Sequence, residues 1–111
     1  MQAINAIRMG GVEVLPLIEG GKGVSISNGI SAGHWASAGG VGTFSAVNAD
    51  SFDENGRRIP QLYHGKTRRD RHEELIAYAV DGALTQARRA WDLTGGKGRI
   101  HANILWEMGG A

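Results

Sequence analysis

An α/β fold with parallel strands is what the chain predicts, and three features make the case. Apolar, branched runs at 12–18, 41–47 and 99–106 read as strands. Two stretches between them carry helix start and stop signals. The junctions are rich in glycine, which makes up 18 of the 111 residues, well above the usual share of about 7%. Proline is only 2 and there is no short repeat, so this is not low-complexity glycine. It sits where a backbone must turn sharply or let a neighbour come close.

Residues 1–11 show no clear pattern and end in the turn Gly10-Gly11. The run 12–18 then reads as a buried strand, with Pro16 awkward because it removes a ladder donor. Glu19-Gly20-Gly21-Lys22-Gly23 follows as a loop. Ser27 or Asn28 can cap a helix over 30–38, which Gly39-Gly40 stops. Ala32, Gly33, Ala36 and Ala38 surround Trp35 in that helix, and such small residues permit close packing on a sheet. The second strand is 41–47. Residues 48–67 form a long loop punctuated by Asn48, Asp50, Asp53, Asn55-Gly56 and Pro60. Thr67, with Asp70 three residues on, caps a long second helix. Ile76, Val80, Ala83, Leu84, Ala87 and Trp91 fall on one face of it, the expected core face. Gly95-Gly96-Lys97-Gly98 ends it, 99–106 is the third strand, and 107–111 begins another glycine loop.

Strands alternating with helices imply parallel pairing through crossovers. Three such strands under two helices leave one sheet face uncovered, whereas parallel sheets are normally covered on both. The chain also stops directly after a strand. It therefore reads as one partial domain, 1–111: the opening β-α-β-α-β segment of a (β/α)8 barrel of about 250 residues. Loops at the carboxyl ends of the strands form the binding face of such folds. Those at 20–23, 48–63 and 107–110 lie there.

Composition narrows the function. Lysine plus arginine is 12 and aspartate plus glutamate 11, a net charge of +1. That balance argues against a nucleic-acid binder or a polybasic membrane-surface protein. With 41% hydrophobic and 21% charged residues, the chain has ordinary globular usage. There is no cysteine, which excludes thiolate metal sites, disulfides and cysteine nucleophiles within it. No apolar run approaches the roughly 20 residues of a membrane span, and the start lacks a signal-peptide layout. A cytoplasmic location is expected.

Few residues carry chemistry. The 19–23 loop is either a tight turn or a cradle for a phosphate or a flat ring; it has neither P-loop nor dinucleotide-fingerprint spacing. The glycines of Ala38-Gly39-Gly40-Val41-Gly42-Thr43 read as a helix stop and a close helix–strand crossing. No two of His34, His64, His72 and His101 have the spacing of a metal site. His64 lies in the long loop, where nothing compels it to meet a ligand, and His101, which shares a sheet face with Asn103, is of a kind more often structural than catalytic. The basic residues Arg57, Arg58, Lys66, Arg68, Arg69 and Arg71 are interrupted by Asp70, Glu73 and Glu74 and read as a solvated helix start with salt bridges. Asn103 is a polar amide in an apolar run. It pairs either with a neighbouring strand or with the carbonyl and ring nitrogen of a flat heterocycle.

Taken together and in order, Leu15-Pro16-Leu17-Ile18-Glu19-Gly20-Gly21-Lys22-Gly23, Ser27-Asn28, Ala38-Gly39-Gly40-Val41-Gly42-Thr43 and Asn103-Ile104-Leu105 resemble the opening of the nitronate monooxygenases, formerly called 2-nitropropane dioxygenases. The resemblance extends to the FMN-dependent enoyl-acyl carrier protein reductases and runs from about Val12 to the chain end. It implies an FMN-binding barrel that oxidises alkyl nitronates with molecular oxygen, with an NAD(P)H-dependent reductase of the same fold as the alternative. A non-catalytic α/β binding module is the reading from a different class. The resemblance places Gly20, Gly21, Lys22 and Gly23 beside the flavin ring and gives Asn103 a bond to it. Many relatives have methionine where this chain has Lys22; a cation there either stabilises reduced flavin or turns away to solvent or Glu19. The family's catalytic histidine and main phosphate loops come from later strands, so no catalytic residue is assigned here.

Overall fold

The computed structural model describes residues 5–23 and 26–105. It opens on an antiparallel hairpin of β1 (Ile7–Met9) and β2 (Val12–Val14), turned by Gly10 and Gly11 at φ 58° and 81°. Three-residue strands are too short for a period-2 pattern, so only the Gly-Gly turn betrayed β1 in the sequence.

The expected strand 12–18 is thus divided. Its first part belongs to the hairpin, and its continuation runs parallel to β3 (Val41–Ser45). Leu15 N donates to Gly39 O at 2.8 Å, Val41 N to Leu17 O at 2.9 Å and Glu19 N to Val41 O at 2.9 Å. Only alternate residues face β3 with their N–H groups, so Pro16 costs no bond to that ladder. On the other side of β3, β4 (Arg99–Asn103) pairs in parallel, in register from Val41↔Arg99 to Ser45↔Asn103. Both strands stop short of their expected ends at 47 and 106. The expected glycine loop at 107–111 lies outside the described residues.

Helix α1 (Gly29–Ser37) starts where Asn28 Oδ1 accepts from Ser31 N at 2.9 Å. It lies between β3 and the second helix. Its buried residues are Gly29, Ala32, Gly33 and Ala36. Gly33 is pressed against Leu93 and the Ala90 carbonyl, and β3 crosses Ala32 at Gly42, where a side chain would run into the Ala32 backbone.

Helix α2 (Arg68–Thr94) begins with a complete capping box. Asp70 N donates to Thr67 Oγ1 at 3.1 Å and Thr67 N to Asp70 Oδ2 at 3.4 Å. It ends at Gly95, left-handed at φ 63°. Replacing Thr67 with Ala is expected to cost about 1 kcal/mol, read as a lower denaturation midpoint at unchanged slope, whereas Thr67→Ser keeps the cap and stays near wild type.

The core-facing side of α2 is not the one its large apolar residues mark. Val80, Leu84 and Trp91 are 43–48% exposed, while Ala79, Gly82, Gln86 and Ala90 are buried. Periodicity reports where apolar residues gather, but the smallest residues decide which face lets another backbone approach. Gly82 sits directly against the Ala49 carbonyl, and Ala90 joins Ala32 and Phe44 in the core. Leu84 and Trp91 instead line an open apolar groove with Phe44, Ala87, Ile100 and Ala102.

Polar side chains of α2 hold the long loop. Glu74 Oε1 accepts from His64 N at 3.0 Å and Gly65 N at 3.1 Å. Tyr78 Oη accepts from Leu62 N and donates to Leu62 O at 2.8 Å. Ser51 Oγ donates to Asp81 Oδ2 at 2.6 Å. Gln86 is shared between two elements: its amide donates to Asp50 O at 2.6 Å, and its Oε1 accepts from Gly29 N at 2.8 Å. At the opposite end of the sheet Arg99 reaches back to the first hairpin, donating through Nε to Met9 O at 2.8 Å and through Nη2 to Gly10 O.

Candidate functional site

Alternation along β3 and β4 sorts their side chains onto two faces. Gly42, Phe44, Ile100 and Ala102 turn toward the helices. Thr43, Ser45, His101 and Asn103 occupy the opposite face, with Thr43 beside His101 and Ser45 beside Asn103. The glycine loop leads out of the 15–19 segment next to this face. Its position is fixed by Ser27, which is 1% exposed: Ser27 Oγ accepts from Lys22 N at 2.6 Å and Ser27 O from Ser45 N at 2.7 Å. The loop is therefore moored to the carboxyl end of β3.

The four loop residues differ in why they are what they are. Gly21 abuts Asn103: a Cβ on Gly21 would collide with the Asn103 amide nitrogen. Gly23 has φ +104°, which a side chain rarely tolerates. Gly20 has neither reason. Among the described residues nothing lies within 4 Å of where its Cβ would be, and its φ is outside the left-handed region. Every other described glycine has a close neighbour at that position, a positive φ, or both. Gly20 is thus bare without the fold requiring it.

Lys22 turns back on the loop. Its Nζ lies 3.4 Å from Glu19 Oε2. Glu19 is 5% exposed, and its other oxygen accepts from Thr43 N at 3.3 Å. A carboxylate so buried needs such partners, and Lys22, half exposed, supplies the compensating charge. Of the alternatives open for Lys22, the structure takes the contact with Glu19. Glu19 was marked in the sequence only as one alternative partner for Lys22 and Ser27 only as a candidate helix cap; nothing there pointed to the bond between Glu19 and the Thr43 N–H.

Asn103 is exposed at the end of β4, and its side-chain amide has no hydrogen-bond partner among the described residues. Its backbone carbonyl accepts from Ala46 N at 3.0 Å. Thr43 Oγ1 is buried and makes no hydrogen bond among the described residues. Asn103 therefore presents a carboxamide without a partner among the described residues against Gly21, with the bare backbone of Gly20 next to it in the loop, while Thr43 and Ser45 are buried. A carboxamide offers both donor and acceptor to the carbonyl and ring nitrogen of a flat heterocycle, and a residue without a side chain lets such a ring lie on the backbone. The isoalloxazine of FMN has those features, so these residues fit it.

The remaining candidates are accounted for locally. Arg58 lies 3.4 Å from Asp50, and Arg69 3.6 Å from Glu73. Arg71 donates to the carbonyls of Gly65 and Lys66 at 3.2 and 3.3 Å. Much of the basic cluster is thus engaged around the start of α2. Among the described residues no group of three or more His, Asp or Glu is placed to hold a metal ion, and no helix is long and apolar enough to cross a membrane.

Comparison of the chain with protein-family models, with curated proteins and with solved structures finds no match in any of the three.

Proposed function

We propose that the chain forms the first part of an FMN-dependent oxidoreductase of the nitronate monooxygenase type, built on the opening of a (β/α)8 barrel. The observation that carries this reading is the close approach of Gly21 to Asn103, whose amide has no partner among the described residues, next to the bare backbone of Gly20. Three parallel segments, 15–19, β3 and β4, lie side by side in chain order, each joined to the next through a helix. That is how a barrel begins, with one sheet face left to become the interior.

FMN, when bound, supplies an acceptor for electrons from an alkyl nitronate and a donor of electrons to molecular oxygen. The chain's own residues do the holding. Gly20 and Gly21 offer backbone to one side of the ring, and Asn103 orients it by its carboxamide. Gly23 provides the turn that returns the chain toward α1. Lys22 adds little net charge to the site, because Glu19 neutralises it. The lysine serves chiefly to keep a buried carboxylate paired and the loop in shape.

Full-length protein should purify yellow and release FMN on denaturation. Adding an alkyl nitronate should then drive oxygen uptake without any nicotinamide cofactor. A colourless protein whose absorbance and fluorescence ignore added FMN would overturn the flavin assignment. Rapid NAD(P)H consumption in the absence of nitronate would instead favour the reductase of the same fold.

A further inference from the structure

On the sheet face turned away from the helices, β4 carries a second exposed donor that the proposed function does not use. His101 stands two residues before Asn103 in β4, so both side chains leave the same face, about 6.6 Å apart along the strand. Its ring is exposed and has no hydrogen-bond partner among the described residues. Across the ladder it faces Thr43, whose buried hydroxyl is also without a partner. No residue of β3 or β4 is acidic. Glu19, in the adjoining segment, is buried and already holds Lys22 and the Thr43 N–H. Among the described residues the face therefore presents exposed donors at His101 and Asn103 and no free negative charge. A flat ligand with carbonyl oxygens and ring nitrogens, whose charge becomes more negative as it gains electrons, complements such a surface.

We infer that His101 is a further flavin-binding residue, donating a hydrogen bond to the ring next to the contact made by Asn103 and favouring the electron-rich state of the flavin. The inference rests on the flavin reading above. It differs in naming a residue that makes reduction easier, not merely one that holds the ring.

The test is an FMN titration of full-length protein, followed by flavin fluorescence, with the midpoint potential of the bound flavin measured in parallel. The proteins are wild type, His101→Ala, His101→Gln and, as an exposed control in the long loop, His64→Ala. His101→Ala should weaken FMN binding about tenfold, the loss of one good hydrogen bond, and move the midpoint potential to a more negative value. His101→Gln retains a donor and should recover most of the affinity. His64→Ala should match wild type. Because His101 is exposed, circular-dichroism melts of the His101 variants should overlay the wild type; if the alanine variant fails to fold, His101→Leu, which also lacks a donor, takes its place. Unchanged FMN affinity and midpoint potential in the donor-less variant would overturn the role of His101 and leave the flavin reading standing. Failure of the wild type to bind FMN would overturn both.

Discussion

Gly42→Ala is expected to be the most destabilising single-methyl change in the molecule's sheet. A Cβ on Gly42 would collide with the Ala32 carbonyl and stand 2.8 Å from Ala32 Cα. Both partners are backbone, in the middle of α1 and of β3, so no side chain can rotate away. Relief requires α1 to lift from the sheet, and α1 is also packed on α2 through Gly33 and Ala90. Overpacking of this kind costs about 3 kcal/mol, a large part of the roughly 5–15 kcal/mol available to a domain. For a chain of this size the melting temperature should fall by about 15 °C. Gly42→Ala paired with Ala32→Gly does not cure the clash, because the offending atoms belong to the backbone of residue 32; the double variant should be less stable than the single one, because glycine inside α1 adds a cost of about 1 kcal/mol. A wild-type melt for Gly42→Ala would mean that helix and strand do not cross as closely as described.

Gly20→Ala is expected to do the reverse: keep the fold and lose the ligand. The added methyl meets nothing within 4 Å and the backbone needs no glycine there. Loss of glycine's freedom in the unfolded chain should leave stability unchanged or raise it by about 0.5 kcal/mol. The same methyl would stand where the flavin is proposed to rest on bare backbone. A displacement costing about 2 kcal/mol corresponds to roughly a thirtyfold weaker Kd for FMN. Gly21→Ala makes the informative contrast, because it should push on Asn103 and disturb structure and binding together. A Gly20→Ala protein that binds FMN like wild type would remove the observation on which the proposed function rests.

Where local chemistry decides the outcome, the sequence was legible. The Thr67–Asp70 cap, the Asn28 cap and the left-handed Gly95 stop all follow from residue type and spacing over one turn. The meeting of the glycine loop with Asn103 was also readable, because parallel strands joined by crossover helices bring their carboxyl ends to one side. What escaped depended on competition between faces. The apolar stripe of α2 pointed to Leu84 and Trp91 as core, yet Gly82 and Ala90 took that place because they admit a neighbouring backbone at closest range. β1 escaped because its three residues gain their partners only from the hairpin. The anchoring of the long loop was hidden for a related reason: Glu74 read only as part of a salt-bridged helix start and nothing marked Tyr78 or Gln86, while each in fact satisfies backbone groups of 50–65 or of α1.

The guanidinium of Arg99 closes on carbonyls 89 and 90 positions earlier in the chain. During synthesis, then, the hairpin of β1 and β2 has no such clasp until residue 99 has been made, 90 positions after Met9. Contacts of such long range form late and slow folding. The hairpin therefore waits on β3, α2 and the start of β4 for its lock, and until that moment its strands are open to proteases and to mispairing with other chains.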